Sequence, residues 1–119
     1  MPDLYIDGRW TAGSTGETSP VVAPFDGRVL TEVDVASDDD VQRAIAAARR
    51  VFDEGDWSAT PAPDRGALLD RIGDLLQGDL EEIARAETSN TGKALREGRY
   101  DVEKTLRMFE EANTFSLGG

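Results

Sequence analysis

Residues 37–55 read SDDDVQRAIAAARRVFDEG, and they decide the architecture because the hydrophobic spacing here becomes helical. Ser37 offers an N-cap oxygen, and Asp38, Asp39 and Asp40 put negative charge where a helix exposes its free N–H groups. Val41, Ala44, Ile45, Ala48 and Phe52 recur at intervals of three and four. Arg49 and Arg50 suit the negative end of the helix dipole, and Gly55 supplies the stop.

Downstream of this helix the pattern stays helical. Pro61 and Pro63 suit a first helical turn, after which Leu68, Leu69, Ile72, Leu75 and Leu76 form an apolar stripe closed by Gly78. A third helix is expected from about Asp79 to Ser89, carried by Leu80, Ile83 and Ala84 and ended by the Asn90-Thr91-Gly92 turn. A fourth is expected over roughly 95–115, with Val102, Leu106 and Phe109 on one face. Arg99/Glu103, Glu103/Arg107 and Arg107/Glu111 stand along it as i,i+4 pairs. The closing residues 116–119 are expected to be a flexible connection.

Upstream, residues 1–36 carry strand and turn signals. LYIDGRW at 4–10 places Leu4, Ile6 and Trp10 on one face around an Asp7-Gly8 turn. A loop follows at 13–16. Val21 and Val22 make a second apolar patch, and Pro24-Phe25-Asp26-Gly27 turns the chain into Val29, Leu30 and Val33. The expected fold is therefore α/β, with a strand and hairpin region at 1–36 and four amphipathic helices over 37–119. Short strands with few partners, and helices whose stripes need a surface, imply that much of the intended core lies outside these residues.

Composition narrows the chemistry. The 119 residues contain neither cysteine nor histidine, which removes thiolate nucleophiles, imidazole bases, disulfides and ordinary zinc sites from this chain. A net charge of −11 repels phosphate backbones and anionic lipid, so no nucleic-acid or membrane partner is expected. No apolar run approaches the roughly 20 residues that cross a bilayer, and the first ten residues lack a secretory pattern, so a cytoplasmic location is expected.

Individual motifs mostly reduce to structure. Gly92-Lys93 lacks the earlier Gly and the following Ser or Thr of a phosphate loop, since Glu87 and Ala94 stand there; Lys93 reads as a cation at a helix C-terminus. No Gly-x-Gly-x-x-Gly follows a strand. The Asp38–Asp40 run lacks the spaced ligands of a calcium loop and reads as a helix cap. Glu81/Glu82 and Glu110/Glu111 diverge by about 100° on a helix and read as solvated faces. Asp101 borders the stripe of Val102, Leu106 and Phe109, and can be either an ordinary surface acid or a partly buried one.

Taken in order, five segments resemble the N-terminal region of the aldehyde dehydrogenase superfamily over essentially the whole chain. They are LYIDGRW at 4–10, VVAPFDGRVLTEV at 21–33, SDDDVQRAIAAARRVF at 37–52, Trp57 with Arg65, Leu68, Leu69 and Ile72, and ETSNTGKAL at 87–95. Two positions depart from the pattern. Ala23 replaces the usual Asn before Pro24, which puts an Asx-type bond in that turn in doubt, and Ala94 replaces a usual Pro.

The resemblance implies part of a Rossmann-like coenzyme domain in an NAD- or NADP-dependent oxidoreductase. Such an enzyme oxidises an aldehyde to an acid through a Cys thiohemiacetal, with a Glu-activated water, and forms a homo-oligomer, dimer or tetramer. The nucleophile, the coenzyme pocket and the substrate-selecting residues are expected beyond Gly119, so the chain alone is expected to be inactive. The resemblance also aligns Asp101 with an acid that, in some members, helps bind a structural K⁺ or Na⁺ with main-chain oxygens near the strand holding Val21 and Val22. The competing reading is an acidic helical interaction module without catalysis.

Overall fold

The computed structural model describes residues 3–117, with side chains described through residue 112. It divides after Ser58 into two compact units.

The first unit opens with two antiparallel hairpins and ends with a helix. β1 (Leu4–Ile6) pairs with β2 (Arg9–Thr11) across a two-residue turn in which both Asp7 (φ 53) and Gly8 (φ 75) adopt positive φ. That conformation twists in the sense the strands require, and an Asp-Gly pair tolerates it better than most sequences. The register sets Tyr5 opposite Trp10, with the rings edge to face at 5.0 Å between centroids. Trp10 therefore shares a face with Tyr5, not with Leu4 and Ile6 as the sequence suggested. The two-residue turn fixes the register, and the register overrides simple counting along the chain.

β3 (Thr18–Val22) pairs with β4 (Val29–Asp34), and the ladder is interrupted between Val21 and Val22, where Thr31 and Val29 face them and Leu30 is the extra residue. Backbone bonds from Ala23 N to Arg28 O and from Gly27 N to Ala23 O, both 2.9 Å, close the intervening turn. The side-chain bond doubted at Ala23 is supplied elsewhere, by Arg28 N donating to Asp26 Oδ1 at 3.1 Å.

α1 (Asp38–Glu54) begins at Ser37 as expected, with a reciprocal capping box closed by Asp40. Its end corrects the sequence reading. Arg49 binds Asp53 through two nitrogens and Arg50 reaches Asp7 at 2.5 Å, so neither serves the helix terminus. A full carboxylate charge within reach outcompetes the half charge of a helix end. Gly55 has extended backbone (φ −82), and a Cβ there would lie 2.3 Å from Val51 O. Glycine stands at this stop because the chain passes close to the last turn, not because it turns left-handed.

A single 3-10 turn, Trp57–Ala59, was not foreseen and spans the division between units. The second unit is three helices: α2 (Ala62–Gly78), α3 (Leu80–Thr91) and α4 (Leu95–Leu117). Pro61 and Pro63 stand at the start of α2 as expected. Asp79 alone separates α2 from α3. Gly92, at φ 76, ends α3 in the left-handed conformation, donating to Thr88 O.

α4 packs on both α2 and α3. Ala84 is fully buried and Val102 nearly so. At Gly98 a Cβ would meet Ala84 O at 2.8 Å and Thr88 Oγ1 at 3.1 Å, so the α3–α4 approach depends on a missing side chain. The i,i+4 ladder expected along α4 does not form: Arg99 binds Glu81 of α3 at 2.6 and 3.0 Å, and the Arg107 guanidinium lies over the Tyr100 ring. An interhelical carboxylate that takes two guanidinium nitrogens outcompetes a solvated neighbour on the same helix. Ser116 and Leu117 are helical instead of a flexible connection, while Gly118 and Gly119 lie outside the described residues.

Large apolar side chains remain exposed in both units. Phe25 is 94% exposed, Phe52 73% and Leu75 63%. No helix among the described residues is long and apolar enough to cross a membrane.

Candidate functional site

Asp101 lies in the second turn of α4, where its half-exposed carboxylate meets Lys93 Nζ at 2.6 Å. The same ammonium contacts Glu87 Oε1 at 2.9 Å, so one cation bridges two acids from α3 and α4. Local chain geometry explains the meeting. The left-handed Gly92 reverses direction directly after α3, Thr91 Oγ1 donates to Glu87 O at 2.7 Å, and Lys93 is returned alongside Glu87 as α4 begins.

The hydrogen bond to Asp101, then that to Glu87, raises the Lys93 pKa above its ordinary value, against a smaller opposing effect of desolvation. Lys93 is therefore a permanent cation and not a base or an amine nucleophile at neutral pH. Glu87 and Asp101 line a cavity of about 290 Å³ with Leu76, Ile83, Val102 and Thr105. A bridged acid pair beside an apolar recess can fix the crossing of two helices or hold a positive charge; it carries no group able to attack a carbonyl.

Val21 and Val22, the other residues expected to contribute to a cation site, lie on β3 in the first unit, at the interruption of the β3–β4 ladder. No group of three or more acidic, His or Cys side chains suited to a metal occurs among the described residues.

Asp40, by contrast, is a buried charge with no solvent exposure. Its Oδ2 accepts from Ser14 N, Ser14 Oγ and Ser37 N at 3.0 Å and from Ser37 Oγ at 2.9 Å, and its Oδ1 receives the Arg43 guanidinium. The backbone N–H groups of Ser14 and Ser37, followed by Arg43, hold its carboxyl far below the usual range. The sequence identified Asp40 as part of a helix cap but gave no sign that it also ties the 13–16 loop to α1. Nor did it mark the Glu87–Lys93–Asp101 bridge. The available signal was the helix stop at Gly92, which places three charges six and eight residues apart near one turn.

Comparisons with known proteins cover nearly the whole chain. The model of the Aldehyde dehydrogenase family matches residues 10–116. Betaine aldehyde dehydrogenase of Bacillus subtilis (strain 168) is 36% identical over 107 residues, which are 90% of this chain and 22% of that protein. NADP/NAD-dependent aldehyde dehydrogenase PuuC of Escherichia coli (strain K12) is 35% identical over 113 residues, covering 92% and 23%. Among solved structures, betaine aldehyde dehydrogenase from Staphylococcus aureus in complex with NAD⁺ superposes with a TM-score of 0.93 at 33% identity, covering 97% of this chain and 23% of that one. The chain thus spans a little under a quarter of the length of these relatives.

Proposed function

The chain belongs to the aldehyde dehydrogenase family, and from that premise we propose that residues 1–119 form the N-terminal part of an NAD(P)-dependent enzyme that oxidises an aldehyde to a carboxylic acid. The observation that carries this reading is the agreement of fold and order along the whole chain, with a TM-score of 0.93 against an NAD⁺ complex. An autonomous interaction module is not favoured, since it would not need to reproduce these elements in this order at 33% identity.

Within this reading the chain's own residues build scaffold. No Cys is available to attack the carbonyl and no His to move a proton. The coenzyme would accept the hydride, and the residues that hold it would lie in further polypeptide. What these residues do is set two hairpins and a three-helix unit through Asp40, the Glu87–Lys93–Asp101 bridge and the Arg99–Glu81 pair. We further place the whole enzyme in the cytoplasm as a homo-oligomer, a dimer or tetramer, with an aldehyde as its small-molecule partner.

A structural K⁺ or Na⁺ held in part by the Asp101 carboxylate belongs to the same proposal. The fit at Asp101 is partial, because Lys93 already occupies Oδ2. An alkali ion would have to bind beside an ammonium. Thermal unfolding of the full-length enzyme in K⁺ and in choline should therefore differ, the difference should vanish in Asp101→Ala, and it should grow in Lys93→Met; equal K⁺ sensitivity in Asp101→Ala excludes the site.

The main test is an activity assay on the gene product that contains these residues. Aldehyde-dependent NAD(P)H formation is expected from it and none from residues 1–119 alone. A full-length product inert toward every aldehyde class with both coenzymes, or turnover by the short chain free of host enzyme, would overturn the reading.

A further inference from the structure

Pro20 stands inside β3, and its place in the ladder makes the two edges of the β3–β4 ribbon unequal. Val35 N donates to Glu17 O at 2.9 Å, so 17 and 35 form a hydrogen-bonded pair. Antiparallel pairs alternate, and Ser19 with Val33 and Val21 with Thr31 therefore exchange bonds in the same way. Thr18 with Asp34 and Pro20 with Glu32 are the pairs between them, whose N–H and C=O groups point away from the partner strand. Pro20, which has no N–H to give, occupies one of these outward positions and costs the ladder no bond.

Along the outer edge of β3 the donor at position 20 is thus missing, and a strand laid there would lose a bond at its centre. Along β4, Glu32 and Asp34 keep their donors, and neither N–H meets an acceptor among the described residues. The Glu32 carbonyl receives only the Thr31 hydroxyl, at 3.4 Å. The irregularity of the ladder lies before Thr31, so the run from Thr31 to Asp34 is regular strand. A two-stranded ribbon is marginal in water, and a third strand is the ordinary remedy.

We propose that the outer edge of β4 pairs, through Glu32 and Asp34, with a strand from the polypeptide that follows Gly119 in the same subunit, an inference that rests on the aldehyde dehydrogenase reading in requiring that polypeptide. The β3 edge, blunted by Pro20, stays at the margin of the sheet. The relatives leave more than three quarters of their own length outside the matched region, ample for one strand of about five or six residues. Like charges directly opposite destabilise a sheet, so the incoming strand should set hydroxyl or basic side chains, not acids, beside Glu32 and Asp34.

Hydrogen exchange on the full-length enzyme, resolved by residue, tests this without any variant. The Glu32 and Asp34 amides should exchange at least about tenfold more slowly than that of Thr18, the scale of one hydrogen bond. A matched pair of prolines gives a second measurement. Thr18→Pro and Glu32→Pro each remove one outward N–H, and each removes the same side-chain bond, Thr18 Oγ1 to Glu32 Oε2 at 3.2 Å. Glu32→Pro should lower the melting temperature of the full-length enzyme by several degrees more than Thr18→Pro does. In a parent that turns over aldehyde, equal exchange at Thr18, Glu32 and Asp34 overturns the edge assignment and leaves the family reading intact, as does equal melting of the two proline variants. Slow exchange at Glu32 that is lost when the oligomer is diluted to its subunits would put the strand on a second copy and overturn the assignment as well.

Discussion

Replacing Gly98 by alanine should destabilise the three-helix unit, whereas the same replacement at Gly73 should stabilise it. Both glycines lie inside helices, so each alanine gains about 1 kcal/mol of helix propensity. At Gly73 the new methyl finds nothing nearer than Phe109 Cβ at 4.0 Å, an ordinary contact. At Gly98 it would sit 2.8 Å from Ala84 O, a backbone atom that cannot rotate aside, and 3.1 Å from Thr88 Oγ1. Relief requires α3 and α4 to part by about 0.6 Å, opening the contact at fully buried Ala84. Overpacking of this kind costs about 1–3 kcal/mol. Because the propensity gain is common to both variants, their difference isolates the steric cost. For a unit of this size it corresponds to at least about 4 °C between the two melting temperatures. Thermal and urea unfolding followed at 222 nm would measure it. Thr88→Ala should not rescue Gly98→Ala, since the closer contact is to backbone. Equal stabilisation by both alanines would refute the close-approach argument.

Three further outcomes follow from the same geometry. Asp40 has a folded pKa below its ordinary value of 3.8, so its contribution is complete above that value and declines as pH falls toward the folded one. Acid unfolding monitored by circular dichroism should show that decline, and Asp40→Asn should flatten it. Lys93 has a folded pKa above 10.5, so the contribution of its ammonium is lost as pH rises from that value through the folded one, and Lys93→Met should reduce the alkaline loss of stability measured by urea unfolding. Gly92→Ala should cost about 1 kcal/mol, the penalty for an L residue in the left-handed region, measurable by urea denaturation.

Elements were legible where local chemistry decides them. Ser37 with three aspartates, the proline pair at 61 and 63, and Gly92 each mark a helix end through groups within a few residues, and the structure puts boundaries there. The partners of charges were not legible, because they depend on which helices cross. Arg99 is a plausible neighbour of Glu103 by spacing, yet Glu81 lies across the α3–α4 contact and takes two of its nitrogens. Arg50 is matched by a turn residue 43 positions earlier. Trp10 shows the same limit in a strand, since only the two-residue turn determines that it faces Tyr5.

The apolar faces carry a deficit of partners among the described residues. Periodicity at Val41, Ile45 and Phe52, and at Leu68 and Leu75, implies apolar faces with too few elements to cover them, and all five side chains are at least 44% exposed. Only Ala23, Ala84 and Val102 are buried apolar residues among those described. Soluble proteins do not usually leave so many large apolar groups in water, because each represents about 1.5–3 kcal/mol of burial not realised. Satisfied cores are built from neighbours, and here the polar ties at Asp40 and Lys93 are complete while the apolar faces are not. That asymmetry fits the proposed reading, in which the hydrogen-bonded geometry is local and further polypeptide would cover the apolar faces. Residues 1–119 alone should accordingly bind an apolar dye and unfold over a broad range, and a sharp, dye-free transition would show that the exposed faces need no cover.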